Sequence, residues 1–479
     1  MITQPSSYLE LSDLDKRSYF HPFTSIADHE RTGPWVIQSA SGITIKDAEG
    51  QEYLDATSGL ACVNVGYGRE EIARAVYEQT LKLSFFPTFW STAHEPAIRL
   101  ADRLIQMTPG DTQRVMFGTS GSDANDTQIK LCWYYNNLLG RPGKKKIIAR
   151  ERAYHGTTIG ATSLSGVPGL HKKFDLPIPQ VLRTWAPDYL NKASPGMSQR
   201  EFSKWLAQEL DDLIEAEGPD TVAAFINEPV PGSSSGVLVP PTDYFIEIRK
   251  VLDKHDVLFI ADEVVNGFGR VGAPFASTLY GLEPDLMTLS KGLTSGYIPM
   301  SAVVVSKKVW EVVSQASEDV GAFEHGFTNS GHPVCAAAAL ANLDILEREN
   351  LFENSAHVGA YLQQCLCDTF ADYDAVREIR GIGLFVGIEL GDDDVVNQAS
   401  GEGYPVQIMR ECYKAGLIIR ASPGNATITL APPLIITKPE VDLLVGDASL
   451  ANKVLKWKPR MSFQQLMQNM VDADLEKLE

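Results

Sequence analysis

Apolar and polar side chains alternate along residues 35–56, "WVIQSASGITIKDAEGQEYLDA". A period of two is typical of β-strands that bury one face, and the pairs Ser41-Gly42 and Glu49-Gly50 are turn signals that divide the segment. The pattern therefore predicts a small antiparallel sheet near the N-terminus.

Beyond about residue 69, long amphipathic segments alternate with short apolar runs. In the segment 241–255, the side chains of Phe245, Ile248, Val251 and Leu252 fall on one face of a helix. Six apolar runs are predicted to be strands, at residues 114–118, 145–150, 221–227, 257–262, 285–290 and 301–306. This rhythm of strand, helix and strand predicts an α/β fold with a mostly parallel sheet covered on both faces.

The same patterns divide the chain into four regions. We expect residues 1–68 to be an N-terminal segment that forms part of a small domain, and residues 69–330 to be the large domain. Two long helices followed by a second α/β region predict a C-terminal small domain over 331–437. Residues 438–479 form an atypical tail.

Composition and charge narrow the class of protein. The formal net charge of −19 argues against nonspecific binding to nucleic acid or to an anionic membrane. No apolar run is long enough to span a bilayer, and the N-terminal sequence lacks the basic and apolar regions of a secretory signal. The six cysteines are scattered and one CxC pair has no flanking histidines, so we expect no metal site. We expect the thiols to be free or buried, in a protein of the reducing cytoplasm.

Ionisable residues stand at the ends of three consecutive predicted strands: Glu228 in "FINEPV", Asp262 in "FIADEV" and Lys291 in "TLSKG". Ligands of open parallel sheets bind at these ends, and each separation is about one strand–helix–strand unit. A partly desolvated lysine has a lowered pKa and is a usable nucleophile. Singly, the three residues have plainer interpretations, as a solvated lysine, a surface carboxylate and a helix cap. Jointly they predict one catalytic cleft.

A fourth strand end carries "FGTSGSDAND" (117–126), just before a predicted helix. The backbone N–H groups of Gly121 and Ser122, with the hydroxyl groups of Ser120 and Ser122, would form a phosphate-binding cup at the helix N-terminus. An ordinary helix cap explains the same residues equally well.

A fifth strand ends in "RERAYHGTT", which offers the aromatic ring of Tyr154 and the imidazole of His155. A lysine, a carboxylate, a phosphate cup and an aromatic ring are the groups that pyridoxal 5'-phosphate (PLP) requires. Lys291 would form a Schiff base with its aldehyde, and Asp262 would pair with its ring nitrogen. Tyr154 and Val264 would then pack on opposite faces of the ring.

At this point the chain resembles the class III aminotransferases, PLP enzymes of fold type I, over roughly residues 15–437, and within them the omega-amine:pyruvate transaminases. The matching stretches are "HPFT" (21–24), "SGLACVNVGYG" (58–68), "TSGSDANDTQIKL" (119–131), "AYHGTT" (153–158), "NEPV" (227–230), "ADEVVNGFGRVG" (261–272), "TLSKGLTSGYIPM" (288–300), "HGFTNSGHPV" (325–334) and "APPL" (431–434).

The resemblance implies a large domain around a mostly parallel seven-stranded sheet and a smaller α/β domain built from both termini. It implies a homodimer with shared active sites, in which Thr328 reaches the phosphate of the partner subunit's cofactor and Glu228 helps to order the cofactor's surroundings. The implied activity moves an amino group from a primary amine or omega-amino acid to a keto acid, pyruvate being the expected acceptor, with Lys291 as base and acid. A 4-aminobutyrate, ornithine or diamine transaminase, an aminomutase and a non-catalytic binding protein of this fold are the alternatives.

Substrate residues also follow from the resemblance. Arg420 falls where omega-transaminases carry a mobile arginine that binds the keto-acid carboxylate, and a solvated surface arginine is the plainer interpretation. Phe23, Phe86 and Phe89 match aromatic positions near the substrate pocket, or else belong to the core.

Two residues depart from the family pattern. Ala61 stands where many relatives carry tryptophan, and loss of an indole is expected to open the pocket to longer or bulkier amines. Asn266 stands where relatives often carry threonine or cysteine, and the sequence offers no explanation for it.

The tail has a different resemblance. Residues 440–474 resemble the C-terminal end of GDP-mannose 4,6-dehydratases, although the chain lacks the glycine-rich dinucleotide fingerprint and the YxxxK pair of dehydratase chemistry. A natural gene fusion, an artefact of cloning and a chance likeness all fit. Ser462 is predicted to cap a helix with an apolar face, formed by Phe463, Leu466, Met467, Met470 and Val471.

Overall fold

The computed structural model describes residues 8–232, 234–391, 403–422 and 426–445, with the backbone alone at residues 317 and 318. None of the helices in these ranges is long and apolar enough to cross a membrane. Of the predicted tail, residues 438–445 are helical, whereas the predicted helix after Ser462 lies outside the described residues.

The N-terminal region contains helices and the expected antiparallel strands. Its elements are α1 (Tyr8–Ser18), α2 (Ile26–Thr32), β1 (Ile37–Ser41), β2 (Thr44–Asp47), β3 (Glu52–Asp55), α3 (Ser58–Ala61), α4 (Glu70–Lys82) and α5 (Glu95–Met107). Strands β1, β2 and β3 pair antiparallel in that order.

The central region alternates strands and helices. Its elements are β4 (Thr112–Gly118), α6 (Gly121–Leu138), β5 (Lys146–Arg150), α7 (Ile159–Leu164), α8 (Pro168–His171), β6 (Val181–Thr184), α9 (Tyr189–Lys192), α10 (Gln199–Glu217), β7 (Val222–Asn227), α11 (Tyr244–Lys254), β8 (Leu258–Asp262), α12 (Ala276–Leu279), β9 (Leu286–Leu289), β10 (Ser301–Ser306) and α13 (Lys307–Val320). Short 3-10 turns occupy Pro219–Thr221 and Lys291–Leu293.

The seven central strands form one sheet in the order β4-β10-β9-β8-β7-β5-β6, so the expected seven-stranded sheet is confirmed. Only β10 runs antiparallel to its neighbours. Strands β7 to β10 are buried at every position, because helices cover both faces of the sheet. Strand β6 was not among the six predicted strands, since it is short, half-buried and carries Arg183 in its middle.

The C-terminal region completes two smaller sheets. Its elements are α14 (Pro333–Arg348), α15 (Leu351–Phe370), β11 (Val376–Ile382), β12 (Phe385–Leu390), α16 (Tyr404–Lys414), β13 (Leu417–Ile418), β14 (Arg420–Ala421), β15 (Thr427–Leu430) and α17 (Lys438–Val445). One sheet has the order β11-β12-β15-β14, and β13 pairs in parallel with the N-terminal strand β3. Both ends of the chain therefore contribute to one sheet, as expected.

A buried arginine joins the three regions. Arg270, from the loop after β8, donates through Nη1 to the backbone oxygens of Leu384 and Pro432 at 3.0 and 2.5 Å. Its Nη2 donates to Ser58 Oγ and Asn64 Oδ1, each at 3.0 Å. Burial lowers the pKa of Arg270 to about 9. The four hydrogen bonds fix the loop that follows β8, next to the predicted cleft.

Candidate active site

Three adjacent parallel strands bring the predicted ionisable residues to one edge of the sheet. Glu228 directly follows β7, Asp262 is the last residue of β8, and Lys291 follows β9 after one serine. The charges of Glu228 and Asp262 both act on Lys291 and oppose the lowering of its pKa. The carboxylates are almost fully buried, so the interpretations of Glu228 as a surface group and of Asp262 as a helix cap are wrong; no helix starts at Asp262.

The side-chain amine of Lys291 is without a partner in the part of the chain that the structure describes. Its Nζ makes no hydrogen bond or ion pair within the described ranges. Burial lowers the pKa of Lys291, and the positive charge of Arg420 lowers it further. The backbone turn that carries it, with φ 45° at Lys291, is held by Asn342 Nδ2, which donates to Gly292 O and Leu293 O at 2.8 and 3.0 Å. A lysine amine with a lowered pKa on a fixed backbone turn is suited to nucleophilic and proton-transfer chemistry.

A buried network orients Asp262. Its Oδ2 accepts a hydrogen bond from Asn125 Nδ2 at 2.8 Å and lies 2.7 Å from His155 Nδ1. Its Oδ1 accepts from the Val264 backbone N–H at 3.1 Å, which leaves that oxygen with capacity for a second donor. This is the arrangement that a carboxylate needs in order to pair with a protonated ring nitrogen.

The sequence alone did not identify the residues behind this carboxylate. Thr288 Oγ1 donates to Asn125 Oδ1 at 2.7 Å, and Gln128 Nε2 donates to Thr288 Oγ1 at 3.0 Å. Asn125 Nδ2 also donates to the His155 backbone oxygen at 2.7 Å. The available signal was a polar threonine inside an otherwise apolar buried strand, β9.

Glu228 supports the predicted aromatic residue. Its Oε1 accepts a hydrogen bond from the Tyr154 backbone N–H at 3.0 Å, and its Oε2 accepts from the Gly232 N–H at 3.4 Å. Burial raises the pKa of Glu228, His155 opposes the shift, and Asp262 adds to it. Glu228 therefore positions Tyr154 through the backbone.

The predicted phosphate cup is the first turn of α6, which begins at Gly121 and hence earlier than expected. Ser120 Oγ accepts from the Asp123 N–H at 3.1 Å and caps the helix, while Asp123 Oδ2 accepts from the Ser120 N–H at 3.1 Å. The N–H groups of Gly121 and Ser122 have no partner in the part of the chain that is described. A Cβ at Gly121 would lie 3.1 Å from Val264, so the helix N-terminus closely approaches the loop after β8.

The predicted substrate residues lie at different depths. Phe23 and Phe86 are 75% and 50% exposed, so they are not core residues. Phe89 is half-buried and packs against Gly326, while Thr328 is exposed on the following turn. Ala61 is half-buried with φ 55°.

Arg420 begins strand β14 and is half-buried. Burial lowers its pKa, and Tyr154 and Tyr413 oppose that shift. It has no acidic partner among the residues whose side chains are described. A solvated surface arginine does not fit this burial.

Comparisons with known proteins identify the family of the chain. The family Aminotransferase class-III matches residues 25–451. Diaminobutyrate–2-oxoglutarate transaminase of Halomonas elongata is 45% identical over 456 residues, which cover 94% of this chain and 97% of that protein. The chain belongs to the class III aminotransferases.

Two solved structures are similar over nearly the whole chain. The omega transaminase from Pseudomonas jessenii in complex with PMP has a TM-score of 0.88 and 38% identity, covering 96% of this chain and 98% of that chain. A thermostable omega transaminase variant has a tryptophan, a phenylalanine and an arginine replaced. It has a TM-score of 0.88 and 38% identity, covering 96% of this chain and 99% of that chain.

Class III aminotransferases depend on PLP, and this chain is therefore a PLP-dependent aminotransferase. Its residues fit the cofactor. Among the described residues, the amine of Lys291 and two N–H groups at the start of α6 have no hydrogen-bond partner, and Asp262 Oδ1 has capacity for a second donor.

Proposed function

We propose that the chain moves an amino group from a primary amine or an omega-amino acid to a keto acid such as pyruvate, in two half-reactions. The observation that carries this proposal is Arg420, a half-buried arginine without an acidic partner in the described ranges, whose charge acts on Lys291 and Tyr154. A guanidinium held in this way beside the nucleophile can bind a substrate carboxylate bidentately.

Each residue of the cleft has a role in this proposal. When bound, PLP supplies a conjugated, electron-withdrawing ring at the substrate nitrogen. Lys291 Nζ would take a proton from the amine-bearing carbon in the first half-reaction, and in the second it would deliver one to the carbon that receives the amino group. The N–H groups of Gly121 and Ser122 would hold the phosphate, and Asp262 Oδ1 would accept from the ring N–H. Tyr154 and Val264 would cover opposite faces of the ring.

Three positions are proposed to set the size of accepted amines. The variant structure with a tryptophan, a phenylalanine and an arginine replaced was engineered for the asymmetric synthesis of enantiopure bulky amines. In this chain Ala61, Phe89 and Arg420 stand at the same spacings as those three positions. Ala61 is small where the other protein had tryptophan, which supports the prediction that bulky amines fit.

We further propose a homodimer. Large apolar side chains are exposed on two N-terminal segments, including Phe20 at 81% and Trp90 at 87%. Exposed apolar groups of this kind are typical of a protein interface. Phe23, Phe86 and Thr328 are also exposed, as expected of residues that contribute to the partner subunit's cleft. Analytical ultracentrifugation of the holoenzyme tests this: a stable monomer that retains full activity contradicts it.

The name of the Halomonas elongata relative favours a second acceptor, 2-oxoglutarate. The 2-oxoglutarate molecule carries a second carboxylate, so its binding requires another cation or a cluster of donors beyond Arg420. The 4-aminobutyrate, ornithine and diamine alternatives differ from the leading proposal in the donor and in this acceptor.

The deciding experiment is a titration of the visible cofactor absorption with single amines, in the absence of a keto acid. Suitable donors are β-alanine, putrescine, a long omega-amino acid and 1-phenylethylamine. Loss of the band identifies the donor class, and its return on adding pyruvate or 2-oxoglutarate identifies the acceptor. A band that no amine changes contradicts the broad donor range, and a protein that binds no PLP contradicts the proposed function as a whole.

A further inference from the structure

Asn266 pairs with the backbone of another loop. The residue is fully buried in the loop after β8, four positions beyond Asp262. Its Oδ1 accepts a hydrogen bond from the Val230 N–H at 2.8 Å, and its Nδ2 donates to the Val230 oxygen at 3.0 Å. The side-chain amide therefore satisfies both backbone groups of one residue, as a neighbouring β-strand would.

The two joined loops carry residues of the proposed cofactor site. Val230 follows Glu228 by two positions, and Glu228 Oε1 accepts from the Tyr154 N–H at 3.0 Å. On the other side, Asn266 follows Val264 by two positions, and the Val264 side chain lies against Gly121. The Asn266–Val230 pair thus links two loops. One contains Val264, and the other contains Glu228, whose carboxylate holds the Tyr154 backbone.

Each loop has further anchors of its own. Glu263 accepts hydrogen bonds from the Ser277 N–H and Oγ, both at 2.6 Å, and from the Ala276 N–H at 3.0 Å. In the other loop, the N–H of Leu238 donates to the Pro231 oxygen at 3.0 Å. These contacts stabilise each loop, but the Asn266 pair is a direct link between them.

We propose that Asn266 is a positioning residue that sets the separation between Tyr154 and Val264, and with it the fit of the cofactor ring. This inference rests on the proposed roles of Tyr154 and Val264 as the two faces of the ring site. An asparagine amide has the size and polarity of a peptide group, so it matches both Val230 groups. A threonine or cysteine has one polar atom on a shorter side chain, so that single atom would have to accept from the N–H and donate to the oxygen, whereas asparagine uses two separate atoms.

Asn266→Ala and Asn266→Thr test the role. We expect the dissociation constant for PLP to rise about tenfold in Asn266→Ala, the factor that corresponds to one net hydrogen bond. Asn266→Thr should fall between Asn266→Ala and the wild type. The visible circular dichroism per bound cofactor should decrease in the same order, because it reports how rigidly the ring is held.

Asn354→Ala is the matched control. Asn354 Nδ2 donates to the backbone oxygens of Leu434 and Ile436, at 2.6 and 3.1 Å, and no hydrogen bond in the described part of the chain joins Asn354 to either of the two loops. This variant should lose thermal stability as the apoenzyme while its PLP affinity and circular dichroism stay unchanged. If Asn266→Ala does not fold, Asn266→Thr and Asn354→Ala still test the proposal. Asn266→Thr should then have the weaker PLP affinity and the lower circular dichroism per bound cofactor.

The two possible failures are distinguishable. If the wild type does not bind PLP, the proposed cofactor site itself is wrong. If the wild type binds PLP but both Asn266 variants keep its affinity and its circular dichroism per bound cofactor, Asn266 is structural only and the inference is overturned.

Discussion

Asn125 and Asp262 are joined by a hydrogen bond of 2.8 Å, from the amide Nδ2 to the carboxylate Oδ2, beneath the proposed cofactor site. The Asn125 amide cannot rotate without loss, because its nitrogen also donates to His155 O and its oxygen accepts from Thr288. All four residues are buried, and their hydrogen bonds leave only His155 Nε2 without a partner among the described residues of this network. The network fixes Asp262 before any cofactor binds.

Asn125→Ala is expected to lower turnover. The variant removes a donor from the Asp262 carboxylate and with it a contact that holds this side chain toward the proposed ring nitrogen. We expect kcat to fall about tenfold, since the lost contact is a hydrogen bond to a charged group. Asn136→Ala on the same helix, which removes a donor to Cys132 O, should leave kcat unchanged. Equal kcat values in the two variants contradict the role.

Lys291→Ala should lower the single-turnover rate of the amine half-reaction. The expected decrease is at least the ~100- to 10,000-fold that general-base catalysis contributes. Lys144→Met is the matched control, because burial also lowers the pKa of Lys144 but its Nζ donates to the His255 backbone oxygen. That variant should lose stability and retain turnover per folded molecule. Unchanged turnover in Lys291→Ala would exclude the proposed mechanism.

Arg420→Gln should separate the two half-reactions. We expect the KM for pyruvate to rise about tenfold to a hundredfold, because a charge-assisted hydrogen-bonded pair with the carboxylate is lost. The half-reaction with 1-phenylethylamine, which has no carboxylate, is the internal control and should change little. Equal losses with both substrates would show that Arg420 acts through the fold and does not bind the carboxylate.

The periodic patterns predicted the sheet well where strands are buried on both faces. Strand β10 matches its predicted bounds of 301–306, and β7, β8 and β9 were placed to within a residue at each end. Strand β6 has only four residues at the edge of the sheet, so it carries little apolar signal.

Contacts between distant segments could not be predicted in this way. Asn125 and Thr288 are far apart in sequence, and neither pattern nor spacing identifies them as hydrogen-bonding partners. Asn266 had no explanation in the sequence, because its partner Val230 lies in another loop. Residues that bear charge at strand ends are visible in sequence, whereas the neutral amides that hold them require the folded chain.

Ala61→Trp should change the preference among amines. An indole at this position would fill space in the proposed pocket, so kcat/KM should fall more for 1-phenylethylamine than for β-alanine. The backbone at Ala61 has φ 55°, a strained conformation for any residue except glycine, and whatever a larger side chain adds to this strain is the same whichever amine is bound. The ratio of the two kcat/KM values removes this common effect. An unchanged ratio would place Ala61 outside the pocket.

Glu263 is expected to make stability depend on pH. Burial raises its pKa from 4.5 to about 7, against the opposing hydrogen bonds from Ser277 and Ala276. Because the folded state binds this proton more tightly than the unfolded state, the stabilisation is complete below about pH 4.5 and is lost as the pH rises through about 7. The free energy of unfolding of the apoenzyme should therefore fall by about 3 kcal/mol over this interval. Glu263→Gln removes the titrating group and should flatten this part of the curve, while the exposed control Glu52→Gln should retain the wild-type slope. Denaturant titrations at pH 5, 6 and 7 measure the difference, and a Glu263→Gln curve as steep as that of the wild type would assign the pH dependence to other groups.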